Sequence, residues 1–365
     1  MRAAVLGLGK IGHGTAARLA ERGLEVCAYT RSKEKAEAVN RYGITASGAL
    51  EGNYRIRAYS GKELPEAVGQ ADLLVVATTS AGHRPVAESL KGLLRPAQRI
   101  LILTGNWGAL DFSAVLGEEA REKQVIIGET SGNIAAVPSL SERAEIFVKP
   151  AKKHIAFAAV PPELQGNLAS PDQCAGPALS WLRRFSGSAL PTAVRMAEEL
   201  KDAFPELTPV KNVLTTSFNN TNPPVHAPIC LFNLTRMENA EDASFYGECL
   251  PPFLERFLTA ADRERVTVGR AIGADAETLL DLMNSAWETN CSSVKELGLS
   301  NPSLKLVRLP KTLQHRFLTE DIPCGLVPVS RLGRQLGIPT PCTDLMIEIY
   351  RQTVAGSSSV QVPLR

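Results

Sequence analysis

The amino-acid sequence predicts an α/β protein in which a doubly wound parallel sheet forms the N-terminal domain and an all-helical domain follows. Three observations support this fold class. A glycine-rich segment lies between an apolar run and a helical pattern near the N-terminus, further apolar runs recur up to about residue 160, and helical periodicity dominates after about residue 190. We therefore place residues 1–208 in the first domain and residues 209–365 in the second.

The composition is that of a globular protein. The chain has 365 residues, 44% of them hydrophobic and 21% charged, which excludes a disordered chain. Lys and Arg number 40 against 38 Asp and Glu, and this net charge of +2 favours neither nucleic acid nor an anionic membrane as a partner. The first apolar run is interrupted at Lys10, too early for a signal peptide or a membrane span. Seven dispersed cysteines without a C-x-x-C pair favour a reducing compartment, so we expect a cytoplasmic protein.

The first element is a strand over residues 2–6 that leads into a glycine-rich hexapeptide and then a helical pattern. The hexapeptide is Gly7-Leu8-Gly9-Lys10-Ile11-Gly12. A G-x-G-x-x-G sequence between a strand and a helix is typical of Rossmann domains that bind dinucleotides. Gly7 permits the tight turn, Gly9 lets a pyrophosphate approach the backbone, and Gly12 lets the helix pack close to the strand. Because the helix N-terminus also attracts phosphates, we assign all six residues to cofactor binding.

The second strand, residues 24–29, is followed by Thr30-Arg31-Ser32, where NAD-binding domains usually carry an acidic residue for the ribose hydroxyls. A guanidinium and a hydroxyl suit a 2′-phosphate, and this tripeptide has no carboxylate to bind a free 2′-hydroxyl. We therefore expect NADP to be favoured over NAD and assign Thr30, Arg31 and Ser32 to the cofactor site. The alternative is that Arg31 is only a solvated loop arginine.

Three further apolar runs, residues 73–77, 100–103 and 125–127, contain no polar residues, as parallel strands covered on both faces require. Each run is followed by small or polar residues. Ligands of open α/β sheets lie outside the carboxyl ends of the strands, so these ends are expected to line the cofactor cleft. Thr78 and Asn106 are the candidate cofactor-binding residues there.

Two more strands and then helices are predicted in the rest of the chain. We expect residues 145–149 and 154–160, joined by a turn, to form strands at the far edge of the same sheet. Helical periodicity then follows in residues 192–204, 253–273, 276–290 and 343–354. Helical second domains of this kind often dimerise, which leaves a homodimer as an open alternative to a monomer.

Four segments resemble the opine dehydrogenase family, which includes the octopine and nopaline dehydrogenases. They are GLGKIGHGTAARLA, starting at residue 7; NVLTTSFNNTNPPVHAP, residues 212–228; SFYGECLPPFLERFLTAADRER, residues 244–265; and HRFLTEDIPCGLVPVSRLGRQLGIPTP, residues 315–341. The resemblance covers both domains and implies an NAD(P)-dependent oxidoreductase acting on CH–NH bonds. In such a reaction an α-keto acid and the amino group of an amino acid condense to an imine, which is reduced to a secondary amine dicarboxylate.

The resemblance also implies the catalytic residues. The family's catalytic histidine matches His226, and the carboxylate that orients it matches Asp321. Histidine titrates near neutral pH, so His226 can donate and accept a proton, and a carboxylate partner would fix its tautomer. We expect Asp321 to raise the pKa of His226, since a nearby opposite charge favours the protonated ring. Asn222 and Arg316 are candidates for binding the substrate carboxylates.

We expect the four other histidines to have supporting or structural roles and not to act as catalysts. His13 is expected to pack near the cofactor phosphates, and His315 to support the loop that carries Asp321. His83 and His154 are expected to lie on the surface or on an edge strand.

Two other functions remain open from the sequence. The first is a ketopantoate reductase-like reduction of a 2-keto acid by NADPH, for which Lys211 with Asn219 and Asn220 has a suggestive spacing; residues 315–341 are not expected in that family. The second is a non-catalytic NADP-binding sensor, which would have no need of an acid–base pair. A requirement for an amino acid would favour the opine dehydrogenase, and nucleotide binding without turnover would favour the sensor.

Overall fold

The computed structural model describes residues 1–165 and 189–357. They divide into two compact units: residues 1–165 and 189–216 form the first, and residues 217–357 form the second. The first unit is α/β and the second is helical, which confirms the predicted fold class. Cys174 lies outside the described residues, and the six other cysteines are free thiols. None of the helices in the described ranges is long and apolar enough to cross a membrane.

The described part of the first unit contains twelve strands. They are β1 (Arg2–Leu6), β2 (Glu25–Thr30), β3 (Ile44–Gly48), β4 (Gly52–Tyr54), β5 (Arg57–Ser60), β6 (Leu73–Val76), β7 (Arg99–Ile102), β8 (Ile126–Thr130), β9 (Ser139–Leu140), β10 (Glu145–Val148), β11 (Ile155–Val160) and β12 (Leu207–Pro209). Eight of them form one sheet in the order β12-β11-β8-β7-β6-β1-β2-β5. From β8 to β5 every pairing is parallel, and this part has the strand order of a Rossmann domain.

Burial explains why the central strands could be predicted. Every residue of β6 and β8 is buried, as is all of β7 except Arg99; β6 and β7 are accordingly apolar beyond that arginine, and β8 begins with an apolar pair before Glu129 and Thr130. Because β1, β6, β7 and β8 run parallel, their carboxyl ends lie at the same edge of the sheet, and predicted cofactor-binding residues follow the ends of β1, β6 and β7.

Residues 145–149 and 154–160 were predicted to form strands at the far edge of the main sheet, and this is wrong for the first of them. The second, β11, does belong to the main sheet and pairs antiparallel with β8, but β12 forms the edge beyond it. β10 belongs to a second sheet of order β4-β3-β10-β9. Burial alternates along β10, which indicates a strand with only one covered face and explains why it does not extend the doubly covered main sheet.

Helices cover the sheet of the first unit and make up the second. In chain order they are α1 (Lys10–Glu21), α2 (Lys33–Tyr42), α3 (Leu64–Gly69), α4 (His83–Leu90), α5 (Gly108–Glu122), α6 (Ala189–Glu199), α7 (Val213–Phe218), α8 (Asn222–Leu231), α9 (Leu234–Glu238), α10 (Pro252–Ala271), α11 (Leu279–Trp287), α12 (Val294–Ser300), α13 (Arg316–Thr319), α14 (Val327–Leu336) and α15 (Pro341–Thr353). The four segments predicted to be helical are confirmed as α6, α10, α11 and α15.

A buried ion pair anchors the long helix α10 within the second unit. The Arg265 guanidinium donates to Asp262 Oδ1 at 2.8 Å and to the carbonyl of Glu277 at 2.5 Å. The second carboxylate oxygen of Asp262 accepts from the backbone N–H of Leu279 at 2.7 Å. Both charged groups are therefore hydrogen-bonded, and they join α10 to the first turn of α11.

His83 is fully buried, so its predicted placement on the surface or an edge strand is wrong. It begins α4 and packs edge-on against Phe112 of α5, with ring centroids 6.5 Å apart. Neither ring nitrogen has a hydrogen-bond partner within the described residues. Burial lowers the pKa of His83 from 6.5 to about 4, so the folded protein holds this ring neutral.

We expect His83 to make the fold sensitive to acid. Below about pH 6.5 the unfolded chain binds a proton at His83 that the folded protein does not bind until about pH 4. Stability is therefore lost as the pH falls through this window, by about 3 kcal/mol for this one group. Urea unfolding at pH 7 and pH 4.5 should show a smaller loss for His83→Phe than for the wild type and the control His154→Gln. Equal losses in all three proteins would contradict this account.

Candidate active site

The glycine-rich turn after β1 has the shape that a bound pyrophosphate requires. Gly7 has φ = +107°, and a Cβ on Gly12 would lie 1.8 Å from the carbonyl oxygen of Gly7, so the turn and helix α1 are in close contact. A Cβ on Gly9 would meet nothing within 4 Å, and Gly9 is exposed at the N-terminus of α1. The residues present therefore fit a dinucleotide, because open backbone at a helix N-terminus is the feature that binds phosphate.

The other side chains of the hexapeptide pack around this turn. Leu8 is buried, Ile11 is half-buried, and Lys10 is exposed with its ammonium donating to the carbonyl of Pro138 at 2.5 Å. His13 is buried in the second turn of α1, and its Nδ1 is 2.9 Å from the carbonyl oxygen of Gly9. Burial lowers the pKa of His13, so the neutral ring donates Nδ1–H to Gly9 and steadies the turn.

The residues after β2 provide one exposed cation and two engaged hydroxyls. Arg31 is exposed, whereas Thr30 is buried and its hydroxyl accepts from the backbone N–H of Ser32 at 3.2 Å. Ser32 caps α2 by accepting from the N–H of Lys35 at 3.3 Å, and its hydroxyl donates to Glu34 at 2.7 Å. Two further charged residues near this tripeptide were not predicted from the sequence. Lys35 contributes to the lowered pKa of His13, and Glu34 places a carboxylate beside Ser32.

The strand ends of β6 and β7 bring Thr78 and Asn106 to the same edge. Thr78 packs against the glycine-rich turn, since a Cβ on Gly7 would be 2.9 Å from its methyl carbon. Asn106 is buried, and its amide donates to the hydroxyl of Ser80 at 3.1 Å. Asn106 and Trp107 have φ angles of +43° and +72°. Such left-handed backbone at non-glycine residues is strained and is concentrated at functional sites, which supports the assignment of this loop.

Glu129, at the end of β8, belongs to one of the polar stretches expected to line the cofactor cleft, but it is buried and has a structural part that the sequence did not predict. Its side chain is fully buried and accepts from the N–H of Ala109 at 2.8 Å and from the hydroxyl of Thr216 at 2.6 Å. A Cβ on Gly105 would be 2.3 Å from the Glu129 carboxyl carbon. Glu129 thus braces the strained β7–α5 loop, and a lone acidic residue in the otherwise uncharged strand IIGET was the signal that could have identified it.

In the second unit His226 and Asp321 form a hydrogen-bonded pair. Nδ1 of His226 is 2.7 Å from Oδ2 of Asp321, with 12% and 8% of the two side chains exposed. The imidazole stacks on Phe317 with ring centroids 3.5 Å apart and meets Phe245 edge-on at 5.8 Å. Nε2 of His226 makes no hydrogen bond to the residues that the structure describes. It is the ring nitrogen available for proton exchange with a substrate.

Local structure holds the two partners in register. His226 lies one turn into α8, and Asp321 lies between α13 and a π-helical turn, Ile322–Leu326. A Cβ on Gly325 would be 2.3 Å from Pro223 Cγ, so this turn packs directly on the first turn of α8. His315 caps α13, where its Nδ1 accepts from the N–H of Phe317 at 3.3 Å, in agreement with a supporting part. π-Helical turns are rare and occur frequently at functional sites.

Burial and Asp321 act in opposite directions on the pKa of His226. Burial lowers the pKa and is the largest effect, whereas the hydrogen bond and the charge of Asp321 raise it. Arg316 adds a smaller lowering and Glu320 a smaller raising, and the net pKa lies below 6.5. The predicted effect of Asp321 is therefore confirmed in direction, but the net pKa is lowered because removing the ring from water disfavours its charged form more than one carboxylate favours it. At pH 7 the ring is neutral and donates Nδ1–H to Asp321.

The two predicted substrate-binding residues, Asn222 and Arg316, lie on the helices that carry or adjoin the His226–Asp321 pair. Asn222 begins α8 one turn before His226, so the two residues share a helix face. Arg316 begins α13, with 43% of its side chain exposed, and its guanidinium is 3.6 Å from the carboxylate of Glu320. Arg316 is thus near enough to influence the pKa of His226, and its charge is balanced in part by Glu320.

The residues of the reductase alternative are engaged differently. Asn219 is buried, its amide N–H donates to the carbonyl of Asp275 at 3.0 Å, and its amide oxygen accepts from the N–H of Glu277 at 3.1 Å. The side-chain oxygen of Asn220 accepts from the N–H of Asn222 at 3.0 Å. Both amide groups therefore hold the backbone around α8 and the 275–277 loop, which favours a structural part for them.

Two family models match separate parts of the chain. The model described as NAD/NADP octopine/nopaline dehydrogenase, alpha-helical domain, matches residues 209–354, and the model for ketopantoate reductase PanE/ApbA matches residues 3–133. An opine dehydrogenase from Arthrobacter sp. (strain 1C) is 27% identical over 354 residues, which cover 96% of this chain and 90% of that protein.

Solved structures of two dehydrogenases share the fold. Octopine dehydrogenase in complex with NADH and agmatine has a TM-score of 0.74 at 18% identity, covering 100% of this chain and 92% of its own. Yersinopine dehydrogenase with NADP⁺ bound has a TM-score of 0.68 at 16% identity, covering 96% and 90%. At these identities the likeness describes the fold, and both the helical unit and the Rossmann unit are included in it.

Proposed function

We propose that the chain is an opine dehydrogenase that condenses an α-keto acid with the amino group of an amino acid, reducing the imine with NADPH. It is an NAD(P)-dependent oxidoreductase acting on CH–NH bonds. The observation that carries the proposal is the 2.7 Å contact between His226 and Asp321, which joins the two segments most typical of the family. A ring held by a buried carboxylate has a fixed tautomer, as an acid–base catalyst requires.

The proposal assigns cofactor binding to residues 1–208 and substrate chemistry to residues 209–365. The glycine-rich hexapeptide would hold the pyrophosphate, with Thr78 and Asn106 lining the neighbouring strand ends. When bound, the nicotinamide nucleotide supplies a hydride to the imine carbon. A cytoplasmic location suits the free cysteine thiols, and light scattering would decide between a monomer and a homodimer.

His226 would move the protons that imine formation requires. An amino acid is protonated at neutral pH and must lose a proton before its nitrogen can attack the keto carbon. A neutral imidazole can accept that proton at Nε2, while Asp321 stabilises the cation that results. The imidazolium can then return the proton to the hydroxyl of the carbinolamine, which leaves as water. Asn222, on the same face of α8, and Arg316 would hold the substrate carboxylates.

The preference for NADPH is part of the proposal. Its support is the exposed guanidinium of Arg31 directly after β2, with Lys35 in the first turn of the following helix. Glu34 opposes it, since its carboxylate accepts a hydrogen bond from Ser32 that lowers the pKa of Glu34 and keeps it ionised. Two cations against one carboxylate favour the 2′-phosphate.

A matrix of keto acids against amino acids tests the function. We expect NADPH oxidation only where a keto acid and an amino acid are present together, with a product whose mass is that of the secondary amine. Oxidation with a keto acid alone would instead support the ketopantoate reductase-like activity suggested by the match over residues 3–133. Nucleotide binding without turnover across the whole matrix would support a sensor.

A further inference from the structure

We propose that Lys152 binds the carboxylate of the α-keto acid, an inference that rests on the proposed function. Lys152 lies in the turn between β10 and β11, and its ammonium is against the loop that follows β8, since a Cβ on Gly132 would be only 3.1 Å from Nζ. The backbone N–H groups of Lys149 and Lys152 donate to the carbonyls of Ala136 and Ile134, each at 2.9 Å. The turn is thereby fastened to the loop, and the ammonium has a defined place.

The strand order puts this ammonium on the substrate side of the cofactor. The glycine-rich turn follows β1 and Arg31 follows β2, so the adenosine half of a dinucleotide lies over those strands. The nicotinamide half of a bound dinucleotide would then lie on the opposite side of the switch point, over β6 and β7. β8 is the next strand in the same parallel direction, and the loop after it, which contains Gly132, borders that half.

The chemistry of Lys152 suits an incoming anion. Its side chain is half-buried and makes no hydrogen bond or ion pair with any described residue. Burial lowers its pKa to about 8, and no charged neighbour is a cause of that shift. Residues 131–134, which face it, carry no titratable side chain, and on its own turn Lys153 and His154 are exposed. A cation that is partly removed from water and lacks a counter-charge is stabilised by a carboxylate.

Geometry selects the keto acid over the amino acid as the partner. The carbon that is reduced must come within about 3–3.5 Å of the nicotinamide. The keto acid carboxylate is bonded directly to that carbon, whereas the carboxylate of the amino acid is separated from it by the nitrogen and the α-carbon. The anion nearest the nicotinamide, and so nearest the loop after β8, is therefore the keto acid carboxylate.

Calorimetric titration of pyruvate into the NADPH-loaded protein tests this without relying on turnover. We expect Lys152→Met to weaken pyruvate binding by about 10- to 100-fold, Lys152→Arg to retain it within about threefold, and the adjacent Lys153→Met to leave it unchanged. The affinity for NADPH should be the same in all four proteins, which also verifies that they fold. Above pH 8 the wild type should lose pyruvate affinity by up to tenfold per pH unit, whereas Lys152→Arg should not, because a guanidinium stays charged.

The possible results separate this inference from the function on which it rests. If the wild type consumes NADPH with a keto acid and an amino acid while Lys152→Met keeps its pyruvate affinity, the assignment of Lys152 is overturned and the function stands. The same pH dependence in the wild type and Lys152→Arg would also overturn it. If the wild type neither binds pyruvate nor turns over any keto acid, both proposals are overturned.

Discussion

Replacement of His226 by alanine is expected to lower kcat/KM by about 10²–10⁴-fold, the usual contribution of a general acid–base group, while the affinity for NADPH stays unchanged. The imidazole is in the second unit and outside the glycine-rich turn, so we expect nucleotide binding not to depend on it. His154→Ala, which removes an exposed imidazole, is the matched control and should retain full activity. Because burial holds the pKa of His226 below 6.5, the wild type should stay active at neutral pH and lose activity as the ring is protonated in acid.

Asp321→Asn should also be severely impaired, because an amide can no longer select the tautomer with the proton on Nδ1. The double variant should be little worse than His226→Ala alone, since residues that act as one unit are not additive. Steady-state kinetics of the two single variants and the double variant measure this directly. Losses that multiply, or near-normal turnover in His226→Ala, would favour the reductase alternative that uses Lys211.

The second large effect is expected at Arg31. Arg31→Ala should lower kcat/KM for NADPH by roughly 10- to 100-fold, the equivalent of about 1.5–3 kcal/mol for a lost hydrogen bond to a charged group, and leave NADH use nearly unchanged. Arg41→Ala is the matched control, because it also removes an exposed cation, at the other end of α2. Comparable efficiency with NADPH and NADH in the unmodified protein would refute the preference.

The sequence was sufficient where one local requirement determines both residue type and structure. β6 and β7 are buried, so their apolar runs are continuous and mark the strands well, whereas the run at residues 125–127 marks only the start of β8, which continues through Glu129 to Thr130. The glycine-rich turn is equally recognisable, because the 1.8 Å approach at Gly12 leaves no room for a side chain. The pairing of His226 with Asp321 could be predicted only through the resemblance, since the two residues are 95 positions apart.

Features that depend on long-range packing could not be predicted. The second sheet pairs β10 with β3, whose residues are about a hundred positions away and lack a continuous apolar run. The lowered pKa of His226 results from burial beside Phe317 and Phe245, which pattern alone does not reveal. In the sequence Lys152 and Lys153 are two adjacent lysines of a predicted turn. Only the folded chain shows that Lys152 is half-buried whereas Lys153 is exposed.

The central claim is that hydride is transferred to an imine formed from a keto acid and an amino acid. Mass spectrometry of the product made with NADPH deuterated on the transferred position tests this most directly. The account predicts a secondary amine dicarboxylate that carries one deuterium on the former keto carbon and forms only when the amino acid is present. A deuterated 2-hydroxy acid, formed at the same rate with or without the amino acid, would contradict it.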